Sequence, residues 1–273
     1  MNRIVRIIRS LTAPGWIIAI NAAVFVCIHI FGDWSKWLLN ELTLPASPAD
    51  LLGKPWTVVC YMFTQYAPMH LLANMLLLYF FSSLARHIDE RMLRWQFWVL
   101  YLSGGVAGAL AFYMACGATG YQSAGLVGAS ASVMALISYT TFMMPRVTAP
   151  LIFFGHVELR VITLIIVLLS IIATGTSAID IQGAHAGGFL LGIAGALYTK
   201  HRIRVMSAAY AGRPTSPPAP ESTPAAVESD AYADLSDEEI LDILLDKIRR
   251  SGYNSLSARE RADLNELSRR IEL

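Results

Sequence analysis

Trp95 to Pro145 reads WQFWVLYLSGGVAGALAFYMACGATGYQSAGLVGASASVMALISYTTFMMP and contains no Asp, Glu, Lys or Arg. A helix needs about 20 mostly apolar residues to cross the roughly 30 Å hydrocarbon layer of a bilayer, so this run is long enough for two crossings. Its middle, Gly117 to Gly128, is rich in Gly and small polar residues. It is read as a turn between spans at about 95–116 and 128–144. Apolar helices in a membrane, rather than a water-soluble globule, are the class this implies.

Working outward, Gly15 to Gly32 forms a charge-free run behind Arg3, Arg6 and Arg9. The basic start is like that of a signal peptide, but the run is long and no small-x-small cleavage site precedes a polar mature domain. It is read as a retained first span. Pro55 to Ala85 is also free of charge, yet too long for one helix, and its first half holds Pro55, Pro68 and several polar residues. An interfacial or re-entrant segment is expected there, with the second span starting near Met69. Val161 to Ala173 and Ile181 to Thr199 supply two more, separated by Thr174 to Asp180. The expected fold is all-α, a polytopic membrane protein with a bundle of six transmembrane helices.

Charge distribution agrees. The 273 residues are 55% hydrophobic and 15% charged, against about a quarter charged in an ordinary soluble domain. Residues 1–199 hold 17 of the 41 charged side chains and residues 200–273 the other 24. With the N-terminus inside, the inner side carries Arg3, Arg6, Arg9, Arg86, Arg91, Arg94, Arg146, Arg160, Lys200, Arg202 and Arg204, against Lys36 and Lys54 outside. This basic bias places both ends in the cytoplasm. The outer loop Asp33 to Lys54, with Trp34, Trp37 and the nearby Trp56, suits the headgroup level, where indole rings are favoured. A formal net charge of +1 and the lack of a basic stripe give no case for a nucleic-acid partner. Cys27, Cys60 and Cys116 lie in or beside apolar runs without C-x-x-C spacing, which suggests neither a disulfide framework nor a zinc site.

Polar groups inside a span are costly, so each is a candidate site. Asn21 is read as an interhelical hydrogen bond, and His29 as a side chain reaching the headgroups. His87, His156 and His201 belong to inner loops or basic ends, and Ser138 can bond the preceding turn's carbonyl. Three features stand apart. His70 and Asn74, four residues apart, share a helix face. Ser130 lies in Gly128-Ala129-Ser130-Ala131, where a small-residue turn becomes a helix. His185 lies in Ala184-His185-Ala186-Gly187-Gly188, followed by Gly192, in a Gly-x-x-x-Gly pattern that lets helix backbones approach closely. Small residues on spans four and six would bring a Ser and a His within hydrogen-bond reach.

In this order across the spans, the motifs resemble the rhomboid intramembrane serine protease family over about residues 14–199. The matching residues are His70 and Asn74 (H-x-x-x-N), Gly128 and Ser130 (G-x-S-A), and His185 with Gly188 and Gly192 (A-H-x-G-G-x-x-x-G); Pro55-Trp56 is similar to the family's lead-in to its second span. The resemblance implies Ser130 as nucleophile and His185 as its base, with no third acid. It also implies an oxyanion site made by the Ser130 N–H with Asn74 and His70, and transmembrane proteins as substrates, without metal, nucleotide or other cofactor. Met134 stands one turn after Ser130, where the family often has an aromatic ring on the catalytic histidine. A Met fills that space but orients the imidazole less tightly. Phe81 to Arg91 lacks the Gly and Pro often found after the family's second span. The alternatives are a non-catalytic protein that binds transmembrane helices, or a small transporter, although neither a line of intramembrane charges nor an inverted repeat is evident.

Three parts are expected: a six-span domain at 1–205, a Pro-rich linker at 206–232 and a small cytoplasmic helical hairpin at 233–273. Gly212 to Pro224 carries five prolines among Ser, Thr and Ala and suits a disordered linker. Ser236 with Glu239, and Ser257 with Glu260, are capping-box pairs. They open helices whose apolar faces hold Ile240, Leu241, Ile243, Leu244, Leu245 and Ile248, then Leu264, Leu267 and Ile271, with Gly252 between them. Similar short segments follow the protease core in some bacterial relatives. The hairpin either docks an unknown cytoplasmic partner, associates with itself, or serves as a solubilising cap. The expected location is the bacterial cytoplasmic membrane.

Overall fold

Thr12 opens the first helix by accepting a hydrogen bond from the Gly15 N–H, and Pro14 fits the first turn, where an N–H has no intrahelical partner. The computed structural model describes residues 12–88, 94–120, 123–151, 155–175, 178–211 and 236–271. Arg3, Arg6, Arg9, Arg91 and the proline-rich stretch Gly212 to Pro224 lie outside the described residues. The chain divides into two compact units, Met1–Tyr210 and Ala211–Leu273.

In the first unit, α1 (Ala13–Ile30) is followed by α2 (Asp33–Leu42) and α3 (Pro48–Gly53), which form the loop expected outside. Trp34, Trp37 and Trp56 are exposed, with the Trp34 and Trp37 rings 5.9 Å apart. The stretch from Pro55 holds α4 (Thr57–Cys60) and one 3-10 turn, Tyr61–Phe63, before α5 (Pro68–Ile88) begins. Irregular backbone survives at membrane depth only when protein surrounds it. Here Thr57, Tyr61, Met62, Thr64 and Gln65 are all buried, and the Tyr61 hydroxyl donates to the Gly105 carbonyl at 2.6 Å.

Then come α6 (Arg94–Thr119), α7 (Ser130–Met143), α8 (Leu159–Thr174) and α9 (Ile179–Ala211). Three stretches are long and apolar enough to cross a membrane among the described residues: Ala13–Ile30, Pro68–Ala85 and Trp95–Thr119. The apolar helices α7 and α8 are shorter, with 14 and 16 residues. α9 passes the charge-based end of its expected span and reaches Ala211, because Lys200, Arg202 and Arg204 are good helix formers. Its last residues therefore overlap the start expected for the linker at 206.

The expectation of an all-α chain needs one correction, since the unit is mostly helical but not entirely so. β1 (Thr148–Leu151) and β2 (Gly155–Glu158) pair antiparallel, Thr148 opposite Glu158 and Leu151 opposite Gly155. Pro150 cannot continue a helix and is tolerated on an edge strand, while Gly155 takes φ +68°.

α7 is the axis of the unit. Ala131 to Ser138 are all buried, as expected of a helix with neighbours on every side. Small residues let the neighbours approach it. An added Cβ at Gly108 of α6 would strike the Ala131 side chain, and one at Gly188 or Gly192 of α9 would strike the α7 backbone at Ala131 or Ala135. Gly187 meets α6 itself, 2.5 Å from the Ala107 carbonyl oxygen by the same measure.

In the second unit, α10 (Asp237–Ser251) carries the full capping box of Ser236 and Glu239, and Gly252, at φ +82°, ends it. A 3-10 turn, Tyr253–Ser255, leads to α11 (Ala258–Ile271). Leu244, Leu256 and Leu267 are buried, whereas Ile243 and Leu245, placed by the sequence on the apolar face, are exposed.

Candidate active site

The turn before α7 is pinned on two sides. Leu44 and Leu126 exchange backbone hydrogen bonds of 3.0 and 2.8 Å, and the Gly128 N–H donates to the Tyr61 carbonyl at 2.9 Å. Gly125 (φ +103°) and Gly128 (φ +128°) hold conformations that side chains rarely adopt. Ser130 is the first residue of α7, so the N–H groups of its first turn have no intrahelical carbonyl and face the loop side. That end of a helix favours developing negative charge.

α9 brings His185 to the same place. The Gly188 and Gly192 backbone lies directly on α7, and Ser138 Oγ donates to the Phe189 carbonyl at 2.7 Å, with the Ala135 carbonyl of its own helix at 3.2 Å. The result is a separation of 2.8 Å between His185 Nε2 and Ser130 Oγ. Both residues are half-buried.

His70 and Asn74 lie in the first two turns of α5. His70 is exposed and stands beside Gly128: a Cβ built there would be 3.0 Å from His70 Cε1 and 3.7 Å from both His70 Nε2 and Ser130 Oγ. Gly128 thus keeps open the gap between the ring and the hydroxyl. Ser130, His185, His70 and Gly128 therefore come together. Asn74 lies one turn deeper; its carboxamide donates to Gln65 Oε1 at 3.1 Å, and Gln65 donates to Asn21 Oδ1 at 3.2 Å. Asn21, expected as a link between helices, also donates to the Ile17 carbonyl of its own helix at 2.9 Å. His29, at the end of α1, has Nδ1 2.8 Å from the Phe25 carbonyl and is exposed.

Two further polar residues, Gln65 and Ser170, stand at the site. Gln65 lies in the irregular stretch before α5, where an amide carries no periodic signal. Ser170 Oγ is 2.7 Å from His185 Nδ1. Its signal was available: it is the one polar residue between Thr163 and Thr174 in an otherwise apolar helix. Beside the histidine is a cavity of about 290 Å³ lined by Met134, Val167, Ser170, Ile171, Gln182, His185, Ala186 and Phe189.

A serine hydroxyl in contact with an imidazole, N–H groups at a helix start and a cavity beside them form a constellation of the kind that acyl transfer requires. Residues 52–202 match the family described as Rhomboid domain, and residues 235–270 match a family of unknown function, DUF6576. The chain is 32% identical over 185 residues to the presenilin-associated rhomboid-like protein A, mitochondrial, of Danio rerio, covering 65% of this chain and 45% of that one. It is 29% identical over 206 residues to RHOMBOID-like protein 12, mitochondrial, of Arabidopsis thaliana, covering 70% of this chain and 59% of that one. The chain thus spans about half the length of these curated relatives.

Proposed function

The chain belongs to the rhomboid family, and from that premise we propose that it is an intramembrane serine endopeptidase working through a Ser130–His185 dyad. The observation that carries the reading is the 2.8 Å contact between His185 Nε2 and Ser130 Oγ. In this reading the Ser130 hydroxyl donates to Nε2, and its oxygen attacks the scissile carbonyl carbon while the proton passes to the imidazole. The protonated ring then gives that proton to the departing amine. An acyl-enzyme remains on Ser130. Water, deprotonated by the same nitrogen, hydrolyses it and returns the hydroxyl.

The tetrahedral oxyanion is held by the Ser130 N–H at the start of α7 together with the His70 and Asn74 side chains. Removing one such donor typically costs roughly 10² to 10³ in rate. Gly128, Gly188 and Gly192 support the site by sparing the space described above. The acyl transfer uses neither metal nor nucleotide.

The protein is a multi-pass membrane protein, and the reading assigns it six crossings. α7 and α8 count among them although short. At about 1.5 Å per residue, α7 is about 21 Å long, which leaves Ser130 below the membrane surface at the outer end and within reach of water. Substrates are transmembrane proteins cut in or near a membrane helix. The basic bias puts both ends on the cytoplasmic side, and the proposed location is the bacterial cytoplasmic membrane; the two relatives described above are mitochondrial by name. The three-part division at 1–205, 206–232 and 233–273 belongs to the same reading.

Labelling of the full-length protein in lipid nanodiscs with a serine-reactive fluorophosphonate tests it. Wild type is expected to label, and Ser130→Ala and His185→Ala are expected not to. A wild type that stays unlabelled favours a non-catalytic helix-binding protein, and a Ser130→Ala variant that labels equally overturns Ser130 as the nucleophile.

A further inference from the structure

We propose that Ser170 is the positioning residue for His185, a third member that makes the pair of Ser130 and His185 a hydroxyl–imidazole–hydroxyl chain. The proposal rests on the protease reading and adds to it a residue of α8. The imidazole lies between two serines, with Nε2 2.8 Å from Ser130 Oγ and Nδ1 2.7 Å from Ser170 Oγ. A neutral imidazole carries one N–H, and the hydrogen bond at one nitrogen decides which of the two holds it. With the proton on Nδ1 and donated to Ser170 Oγ, the Nε2 lone pair faces the Ser130 hydroxyl and can take its proton. With the proton on Nε2 the ring would donate to Ser130 and could not act as its base.

The surroundings give Nδ1 few other acceptors. The cavity on that side is lined by Val167, Ile171, Phe189 and Met134, and Gln182 is the other uncharged polar side chain there. Gln182 directs its amide Nε2 as a donor to the Gly175 carbonyl at 2.6 Å, whereas the atom facing Nδ1 at 2.7 Å is Ser170 Oγ. α8 buries Leu159, Ile162 and Thr163 in its first turns, while Leu164, Leu168, Leu169 and Ile172 are exposed. Its single hydroxyl between Thr163 and Thr174 is turned to the imidazole. During turnover the Ser130 proton moves to Nε2 and on to the leaving amine, while Nδ1 keeps its own proton and its bond to Ser170. A hydroxyl orients the ring without placing a carboxylate inside the membrane, where a charge is costly. It also holds the ring less firmly than a carboxylate does, so its loss weakens rather than abolishes the reaction.

The test uses the full-length protein in lipid nanodiscs, with Ser170→Ala and Ser170→Thr beside wild type. Two readouts are followed: the rate of fluorophosphonate labelling at Ser130, and the ¹⁵N shifts of the His185 ring. Ser170→Ala is expected to lower the limiting labelling rate about tenfold, with half-saturation by the probe changed by less than about twofold, and Ser170→Thr to recover most of the loss. Wild type is expected to show a protonated Nδ1 and a bare Nε2, and Ser170→Ala a mixture of tautomers. Wild-type labelling with Ser170→Ala equally fast overturns the role of Ser170 and leaves the dyad standing. Absence of wild-type labelling overturns the protease reading instead, and a wild-type ring protonated on Nε2 overturns the positioning role whatever the labelling shows.

Discussion

The Asn74 carboxamide nitrogen lies 3.1 Å from Gln65 Oε1, so a residue of the proposed oxyanion site is oriented by the irregular stretch that precedes its own helix. The chain continues from Gln65 to Asn21 on α1 at 3.2 Å, and all three amides are buried. Asn21 lies outside the stretch 52–202 that matches the family. The first helix is thereby tied to the site by hydrogen bonds rather than by packing alone.

Gln65→Leu removes the middle of this chain and leaves a buried donor on Asn74 and a buried acceptor on Asn21. An orphaned buried polar group costs about 1–3 kcal/mol. The variant is expected to melt at a lower temperature and to label with the fluorophosphonate about tenfold more slowly, because Asn74 can turn away from the oxyanion. Asn21→Ala strips one partner from Gln65 and is expected to reduce stability with a smaller effect on rate. Thermal unfolding and labelling kinetics in the same nanodiscs check both; a Gln65→Leu protein indistinguishable from wild type would refute the relay.

Glycine substitutions should separate by position rather than by residue type. A Cβ at Gly188 or Gly192 falls on the α7 backbone, which cannot yield as a side-chain end can. Gly188→Ala and Gly192→Ala are expected to push α9 off α7, to lose labelling and to destabilise by more than about 2 kcal/mol. Gly195→Ala meets Tyr139 at an ordinary 3.5 Å and is expected to keep full labelling. Equal tolerance at all three positions would mean that close α7–α9 contact does not hold Ser130 and His185 together.

Only parts of the molecule were legible in the sequence. The positions of Ser130 and His185 were, because a polar group in a charge-free span is costly and stands out, and because Gly188 and Gly192 mark a close helix contact. Gln65 was not, since a polar residue in an irregular segment breaks no pattern. Ser170 obeyed the same rule as Ser130 but lacked a neighbouring motif. The β1–β2 hairpin was missed because four-residue strands are too short to show an alternating pattern, and the end of α9 because hydropathy marks where lipid ends and not where a helix ends. The exposure of Ile243 and Leu245 shows that α10 buries a narrower stripe than its composition allows.

Met134 lines the cavity beside His185 and is itself buried. A thioether fills such a space with three rotatable bonds, whereas a flat ring would restrain the imidazole plane. Met134→Tyr is expected to quicken labelling by about twofold to fivefold while lowering the melting temperature slightly, since overpacking commonly costs about 1–3 kcal/mol. Met134→Ala is expected to slow it, having lost the contact and gained nothing. If Met134→Tyr and Met134→Ala slow labelling alike with no loss of folded protein, Met134 does not act on the imidazole.

The C-terminal unit should lose stability on acidification, with the sign set by two carboxylates. The Ser236 N–H and hydroxyl both donate to Glu239 at 2.9 Å and hold its carboxyl below the ordinary range. At Glu260 burial works the other way, but the bonds from Lys247 at 2.6 Å and from the Ser257 N–H at 2.7 Å outweigh it and the carboxyl is again lowered. A carboxylate lowered in the folded state stabilises that state above the unfolded value, about 4.3 for Glu. The contribution fades as pH falls through the folded value. Hydrogen exchange of residues 236–271 in the full-length protein, corrected for the intrinsic pH dependence, is therefore expected to show constant protection from pH 7 to about 5 and a progressive loss below about pH 4. Glu260→Gln should lower protection at neutral pH, where the ion pair with Lys247 is gone, and should flatten the acid limb because one of the two titrating groups is missing. Protection unchanged down to pH 3, or an acid limb equally steep in Glu260→Gln, would show that the capping carboxylates do not set the stability of this unit.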